Sequence, residues 1–264
     1  MAEHTHLPDA ASPAQAVDVD PSTRAFVAGL PKAELHVHLV GSASVPTVLE
    51  LARRHPERGV PTDPDALAAF YRFTDFAHFI DVYIAVNSLV RTAADVEALI
   101  VGIAADLADQ NVRYAELTVT PDAHLLVGIE PDGIAEALTR ARARARTDHG
   151  VQLAWVYDIP GELGVESGER TIDWVERFAP EGSVGFGLGG PEIGVPRAPF
   201  APVFARARAL GLASVPHAGE TTGPETVWSA VRDLEAVRIG HGIAAAHDRE
   251  LMAYLAAHDI PLEV

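Results

Sequence analysis

The 264-residue chain contains no cysteine and a single lysine, Lys32. Without cysteine there can be no disulfide, no thiolate nucleophile and no cysteine-ligated zinc. Almost all the positive charge is arginine, which we attribute, with the many alanines, to a compositional bias of the source. Long apolar runs are missing too. None approaches the roughly 20 residues that a membrane helix needs. The start of the chain has no basic region followed by an apolar core, so no secretory signal is read there. Positive charge is scarce overall: 20 basic residues stand against 37 acidic ones, a formal net charge of −17. That balance argues against a nucleic-acid or anionic-membrane surface. The expected protein is soluble and cytoplasmic, and its partner is a small molecule.

What is present is apolar content of 48% over a length that suits one large domain. Single α/β barrels often run to about 250 residues. Residues 1–22 are polar and rich in Pro, Ala and Asp, which predicts a disordered tail. Residues 23–264 read as the domain. Short apolar runs at 33–40, 112–119, 151–157, 184–188, 212–216, 237–240 and 260–264 read as strands. Helical spacing fills 45–55, 92–110, 131–149, 169–178, 199–210, 224–233 and 247–258, and a short helix over 23–30 leads in. Strands alternating with helices imply βαβ units and a parallel sheet. Seven strands of this kind predict an α/β, TIM-type (β/α)8 barrel lacking its eighth strand in this chain.

The first strand carries the most informative residues. His36 and His38 are two apart, so in a strand both point to one face. Leu35, Val37 and Leu39 then face the other way, where they can pack. Two neutral imidazoles converging from one strand make half of a metal site. A His-x-His pair alone is weak evidence, since His4 and His6 form another in the polar tail. His217, in Val215-Pro-His-Ala-Gly-Glu-Thr221, and His241, in Val237-Arg-Ile-Gly-His-Gly-Ile243, separate the two cases. Each follows a short apolar run, at the strand ends where barrel enzymes place their chemistry. Residues 65–90 hold Phe70, Tyr71, Phe73, Phe76, Phe79 and Tyr83. Most of these are expected to pack between paired helices, with one or two facing a substrate. Arg140, Arg142, Arg144 and Arg146 spread around their helix and read as a solvated surface.

These anchors resemble the adenosine deaminase family of the metal-dependent amidohydrolase superfamily. The resemblance runs from about residue 30 and rests on Glu34-Leu-His-Val-His38, Gly187-Leu-Gly-Gly-Pro-Glu192, His217-Ala-Gly-Glu220 and Gly240-His-Gly242, in the family's order. It implies a zinc-dependent hydrolase that replaces the 6-amino group of a purine nucleoside with oxygen and releases ammonia. His36, His38 and His217 would hold one Zn2+ per chain. Glu220 would protonate purine N1, and His241 would orient the attacking water. The backbone amide of Gly190, with His38 and Val40, would face the substrate. The bland alternatives are a solvated loop carboxylate for Glu220 and a structural histidine for His241. Many binuclear relatives bridge two metals with a carboxylated lysine near strand 4; residues 184–192 have none, which favours one metal. The Cys-ligated zinc of the nucleobase-deaminase signature is excluded by composition.

Two departures bear on substrate and activity. Deaminases of adenosine usually carry an aspartate at the position of Val40, contacting the ribose 5′-hydroxyl. Burying a hydroxyl against valine without a partner costs about 1–3 kcal/mol. A bulkier 5′ group suffers less, as in family members acting on aminodeoxyfutalosine in menaquinone synthesis. Adenosine, aminodeoxyfutalosine and free adenine are the candidates; AMP is disfavoured because no phosphate-binding cluster is evident. The family's fourth zinc ligand and a second aspartate lie at strand 8, which reads as a C-terminal truncation here. Weak activity and poor solubility are then expected, and the alternative is an impaired fragment or pseudoenzyme that binds a purine ligand without turnover.

Overall fold

The computed structural model describes residues 19–264. The tail expected over residues 1–22, with His4 and His6, lies outside the described residues as far as position 18, as does the side chain of Phe76. Helix α1 (Pro21–Gly29) begins two residues earlier than the helical pattern predicts. Asp20 explains the shift: its carboxylate accepts from the amides of Ser22 and Thr23 at 3.0 and 3.1 Å, and Pro21 suits a first turn.

Strand β1 (Lys32–His38) is followed by α2 (Val45–Arg54), α3 (Pro64–Phe70), α4 (Phe76–Asn87) and α5 (Ala93–Asp109). Then come β2 (Val112–Val119), α6 (Pro121–Leu126), α7 (Pro131–His149), β3 (Gln152–Pro160), α8 (Val165–Phe178) and β4 (Ser183–Gly189). The last part holds α9 (Ala201–Ala209), β5 (Ala213–Ser214), β6 (His217–Ala218), α10 (Pro224–Asp233), β7 (Ile239–His241), α11 (Arg249–Ala257) and β8 (Leu262–Glu263). All strand pairs are parallel, in the orders β1-β2-β3-β4-β5 and β6-β7-β8. This is the expected α/β barrel architecture, with helices outside a curved parallel sheet.

One expected strand is not continuous. The run at 212–216 is the short β5, and the chain resumes pairing only at β6. Pro216 has no amide hydrogen, so the ladder cannot pass through it. The amide of Val215 still bonds Phe186 of β4, whereas the carbonyl of Pro216 accepts from Gly240 of β7. The chain therefore changes neighbours at Val215–Pro216, and the sheet divides there.

Outward residues of β2, β3 and β4, including Leu117, Trp155, Ile159 and Phe186, pack on Ile100, Ile103, Ile134 and Leu138 of the helices in the main core. A smaller core joins Val227, Ile239, Leu251 and Leu255. Strand β1 is an edge that pairs only with β2 among the described residues. Val37 and Leu39 are buried as expected, but Leu35 is 38% exposed on this edge strand, which corrects its assignment to the core. The arginines of α7 pair on the surface as expected, Arg140 and Arg144 with Glu97 and Arg142 with Glu181.

Inside the sheet, β4 presents glycine at every second position: Gly185, Gly187 and Gly189. A Cβ on Gly187 would lie 2.6 Å from Oδ1 of Asp158, and one on Gly189 would lie 2.1 Å from its Oδ2. The side chain of Asp158, reaching over from β3, thus occupies the space that side chains on β4 would take. Gly187→Ala should therefore overpack this interior and destabilise the fold by about 1–3 kcal/mol. Urea unfolding checks it: the midpoint should fall, and adding Asp158→Ser should restore part of the loss.

Candidate metal centre and active site

Three imidazoles meet at the seam between the two sheets. His36 and His38 come from the edge strand β1, His217 from β6. The Nε2–Nε2 separations are 2.9 Å for His36–His217, 3.0 Å for His38–His217 and 3.3 Å for His38–His36. Tetrahedral zinc bonded to nitrogen at 2.0–2.1 Å would hold its ligands about 3.3–3.4 Å apart. A small outward relaxation of this triangle would admit such an ion.

The tautomers follow from the other ring nitrogen. Nδ1 of His36 lies 3.2 Å from the carbonyl of Glu263, and Nδ1 of His217 lies 3.2 Å from the carbonyl of Leu188. A carbonyl accepts only, so each Nδ1 carries the hydrogen and each Nε2 lone pair faces the centre. Protonation is opposed as well. Burial, then the charges that His36 and His241 would carry, lower His38 to about 4. Burial and the neighbouring imidazoles also push His217 well below the ordinary histidine value. Neutral imidazoles with converging lone pairs are a metal-ligand set, and this group can hold an ion.

His241 sits beside the triangle, its ring centroid 4.8 Å from that of His36 and 5.3 Å from that of His217. It adopts φ +65° and is followed by Gly242 at φ +73°. A non-glycine residue held there stores about 1–3 kcal/mol of strain, a cost that recurs at functional sites. Glu220 approaches His241 with 3.3 Å between Oε2 and Nε2, and its side chain is 44% exposed. Gly190 follows β4 directly, exposed and with φ +78°. The predicted site residues His36, His38, His217, His241 and Glu220 are thus brought together, and Gly190 lies at the same strand ends.

Val40 is buried, two residues past His38. It lines a cavity of about 220 Å³ with Gly41, Ala43, Tyr71, Phe73, Phe79, Val82, Tyr83 and Val86. Four aromatics of the 65–90 region line this cavity. The ring of Tyr83 packs 3.8 Å from the position a Gly41 Cβ would take, and the same position lies 3.6 Å from Cβ of His38. The cavity and the triangle thus share a wall.

Sequence reasoning missed Asp158, Arg197 and the task of Glu192. Asp158 is buried, and its Oδ1 has no hydrogen-bond partner although Nδ1 of His217 stands 3.9 Å away. Burial, then the nearby Glu162 carboxylate, push its carboxyl up to about 8, against the pull of Arg197. No local pattern marks it, because it is an inward residue of an otherwise apolar strand.

Fold and histidine group together define a metal-dependent barrel hydrolase. The adenosine deaminase family profile matches residues 31–264, so the chain belongs to that family. The aminodeoxyfutalosine deaminase of Streptomyces avermitilis is 59% identical over 241 residues, covering 90% of this chain and 67% of its own length. Its counterpart in Streptomyces coelicolor is 57% identical, covering 94% and 64%. An adenine deaminase of Streptomyces coelicolor is 36% identical, covering 88% and 68%. The chain thus spans about two thirds of the length of the curated relatives it matches. Among solved structures, an amidohydrolase from Burkholderia ambifaria with bound zinc superposes with a TM-score of 0.85 at 27% identity, covering 94% of this chain and 69% of its own. The adenine deaminase of Arthrobacter aurescens gives 0.79 at 28% identity, covering 88% and 71%. Among the described residues, no helix is long and apolar enough to cross a membrane.

A metal that binds the folded triangle must stabilise the fold. At one hundred times its dissociation constant the gain is about 2.7 kcal/mol. Added zinc should raise the thermal midpoint of the wild-type chain, and His217→Ala should abolish the rise. Metal analysis should find one zinc per wild-type chain and far less in the variant.

Proposed function

We propose that this chain carries the catalytic centre of a zinc-dependent deaminase acting on a 6-aminopurine nucleoside, with aminodeoxyfutalosine favoured over adenosine. The observation that carries the choice is the apolar, aromatic-lined cavity at Val40, two residues past His38. The two Streptomyces relatives named for that substrate support the same reading.

His36, His38 and His217 would hold the zinc, which supplies Lewis acidity and lowers the pKa of a water it binds to about 7. Glu220 donates a proton to purine N1, making C6 electrophilic. In the substrate-free chain its carboxyl is 44% exposed. The purine itself would cover it and exclude water from the proton transfer. His241, 3.3 Å from Glu220 and held in a strained conformation, orients the attacking water and takes up its proton. The amide of Gly190 donates to the purine ring. An aryl 5′ substituent enters the cavity beside Val40, where burial of apolar surface contributes roughly 25 cal/mol per Å².

Adenine and adenosine leave that cavity empty, and adenosine would also place its 5′-hydroxyl against valine. Val40→Asp tests the assignment. The new carboxylate should raise kcat/KM for adenosine by about 5- to 150-fold, the equivalent of about 1–3 kcal/mol. It should lower kcat/KM for aminodeoxyfutalosine. Steady-state ammonia release from the zinc-supplemented chain measures both. A wild-type preference for adenosine would defeat the substrate assignment, and bound zinc without turnover of any aminopurine would point to a purine-binding protein instead.

A further inference from the structure

Glu192 closes the Gly-Gly-Pro-Glu stretch after β4 and has no task in the mechanism above. It is 4% exposed. Apart from Arg197, its carboxylate takes hydrogen bonds from one loop only among the described residues, the loop that carries Glu220. Oε1 accepts from the amide of Gly219 at 2.5 Å. Oε2 accepts from the amide and hydroxyl of Thr221 at 2.6 and 3.2 Å, and from the amide of Thr222 at 3.2 Å. Gly219 and Thr221 are the two neighbours of Glu220 in the chain. The carboxylate therefore holds the peptide that follows Glu220 and the Ala218–Gly219 peptide one residue before it.

A buried cation completes the arrangement. Arg197 is 1% exposed, with Nη2 3.5 Å from Oε1 of Glu192. Nη2 and Nε donate to the carbonyl of His217 at 3.0 and 3.3 Å, and Nη1 donates to the carbonyl of Val195 at 2.7 Å. The guanidinium offsets the carboxylate's charge where water cannot, and its planar fork suits this double task. Burial alone would raise the acid, but the amides of Thr221 and Gly219 and the charge of Arg197 hold it below the ordinary glutamate value. By contrast, the exposed Glu220 side chain meets only His241 among the ion pairs of the described residues. Its placement is inherited from its backbone.

We infer that Glu192 is the positioning residue of Glu220, with Arg197 as its counter-ion, so that the buried pair sets the aim of the exposed proton donor. The inference rests on the reading of Glu220 as that donor. A residue that merely stabilised the fold would act on activity independently of Glu220. A positioning residue acts through it.

Glu192→Gln keeps size and one acceptor oxygen but turns an NH2 group toward amide donors that need an acceptor. The test compares the zinc-supplemented full chain with Glu192→Gln, Glu220→Gln and the double variant. Hydrogen exchange read by mass spectrometry should show the amides of 217–222 exchanging at least about tenfold faster in Glu192→Gln, with other core peptides unchanged. With aminodeoxyfutalosine, kcat should fall about 10- to 100-fold with KM and zinc content little changed. In the Glu220→Gln background the same change should cost less than about threefold. Unchanged exchange would overturn the inference whether or not the chain turns over, and so would a full additive loss in the Glu220→Gln background. If only the wild type's turnover fails, the deaminase reading falls while the exchange result still decides the positioning. Should Glu192→Gln not fold, Thr221→Val removes one donor to the carboxylate and should give a smaller rise in exchange at the same amides; no rise there would equally overturn the inference.

Discussion

Everything at this site depends on three Nε2 nitrogens facing one point from two different sheets. His36 and His38 belong to the first sheet and His217 to the second. The nitrogens lie 2.9–3.3 Å apart, and those of His36 and His217, whose hydrogens sit on Nδ1, turn lone pairs toward each other, which an ion between them would bind. The arrangement persists because each contributing strand is fixed from outside. The carbonyls of Glu263 and Leu188 hold two of the rings through Nδ1, and the apolar cores hold the strands. The histidine group is thus also the joint between the two sheets, so an ion bound there would tie its occupancy to the stability of the fold.

The break at Val215–Pro216 makes that joint possible. A continuous fifth strand would keep pairing with β4. The proline ends that pairing, and His217 enters a short ladder with β7, beside His241. The polar residues around the break then need partners. Arg197 reaches the freed carbonyl of His217, and Glu192 takes the amides that follow. The glycines of β4 serve the same region by letting Asp158 approach the rear of His217. Backbone irregularity, a buried ion pair and missing side chains are thus three responses to bringing ligands together across a sheet boundary.

How much of this was legible beforehand depended on the range of the interactions. The bounds of β2, α7 and α10 are local matters of apolar spacing, capping and helix-opening proline, and the pattern placed all three where they lie. The shared face of His36 and His38 is local as well, a consequence of strand pleating. The histidines from distant strands were legible only as recurring punctuation at strand ends. The exposure of Leu35 was not legible, because it depends on which neighbours an edge strand has. The short helix α6 (Pro121–Leu126) also escaped, being too brief to show a period. Least visible was Glu192: the amides it accepts from lie 27–30 residues away, and an arginine five residues on does not by itself distinguish a clamp from a solvated loop acid.

On the proposed reading, Val40 and Glu220 together set what the substrate must bring to the centre. The chain offers a carboxyl that is 44% exposed beside His241 and an apolar cavity that shares a wall with the triangle. A proton donor for a purine ring works best when water is excluded around it, and nearly half of the Glu220 side chain remains open. A ligand with a planar heterocycle at one end and an apolar group at the other would satisfy both halves at once. Its heterocycle would desolvate Glu220, and its apolar end would draw the ordering free energy from the aromatic cavity. Binding energy gained far from C6 is then available to meet the cost of desolvating the acid. A small nucleoside that fills only the polar half has no such source. On the proposed reading, the cavity at Val40 is therefore part of how the chain activates its acid as well as how it selects its substrate.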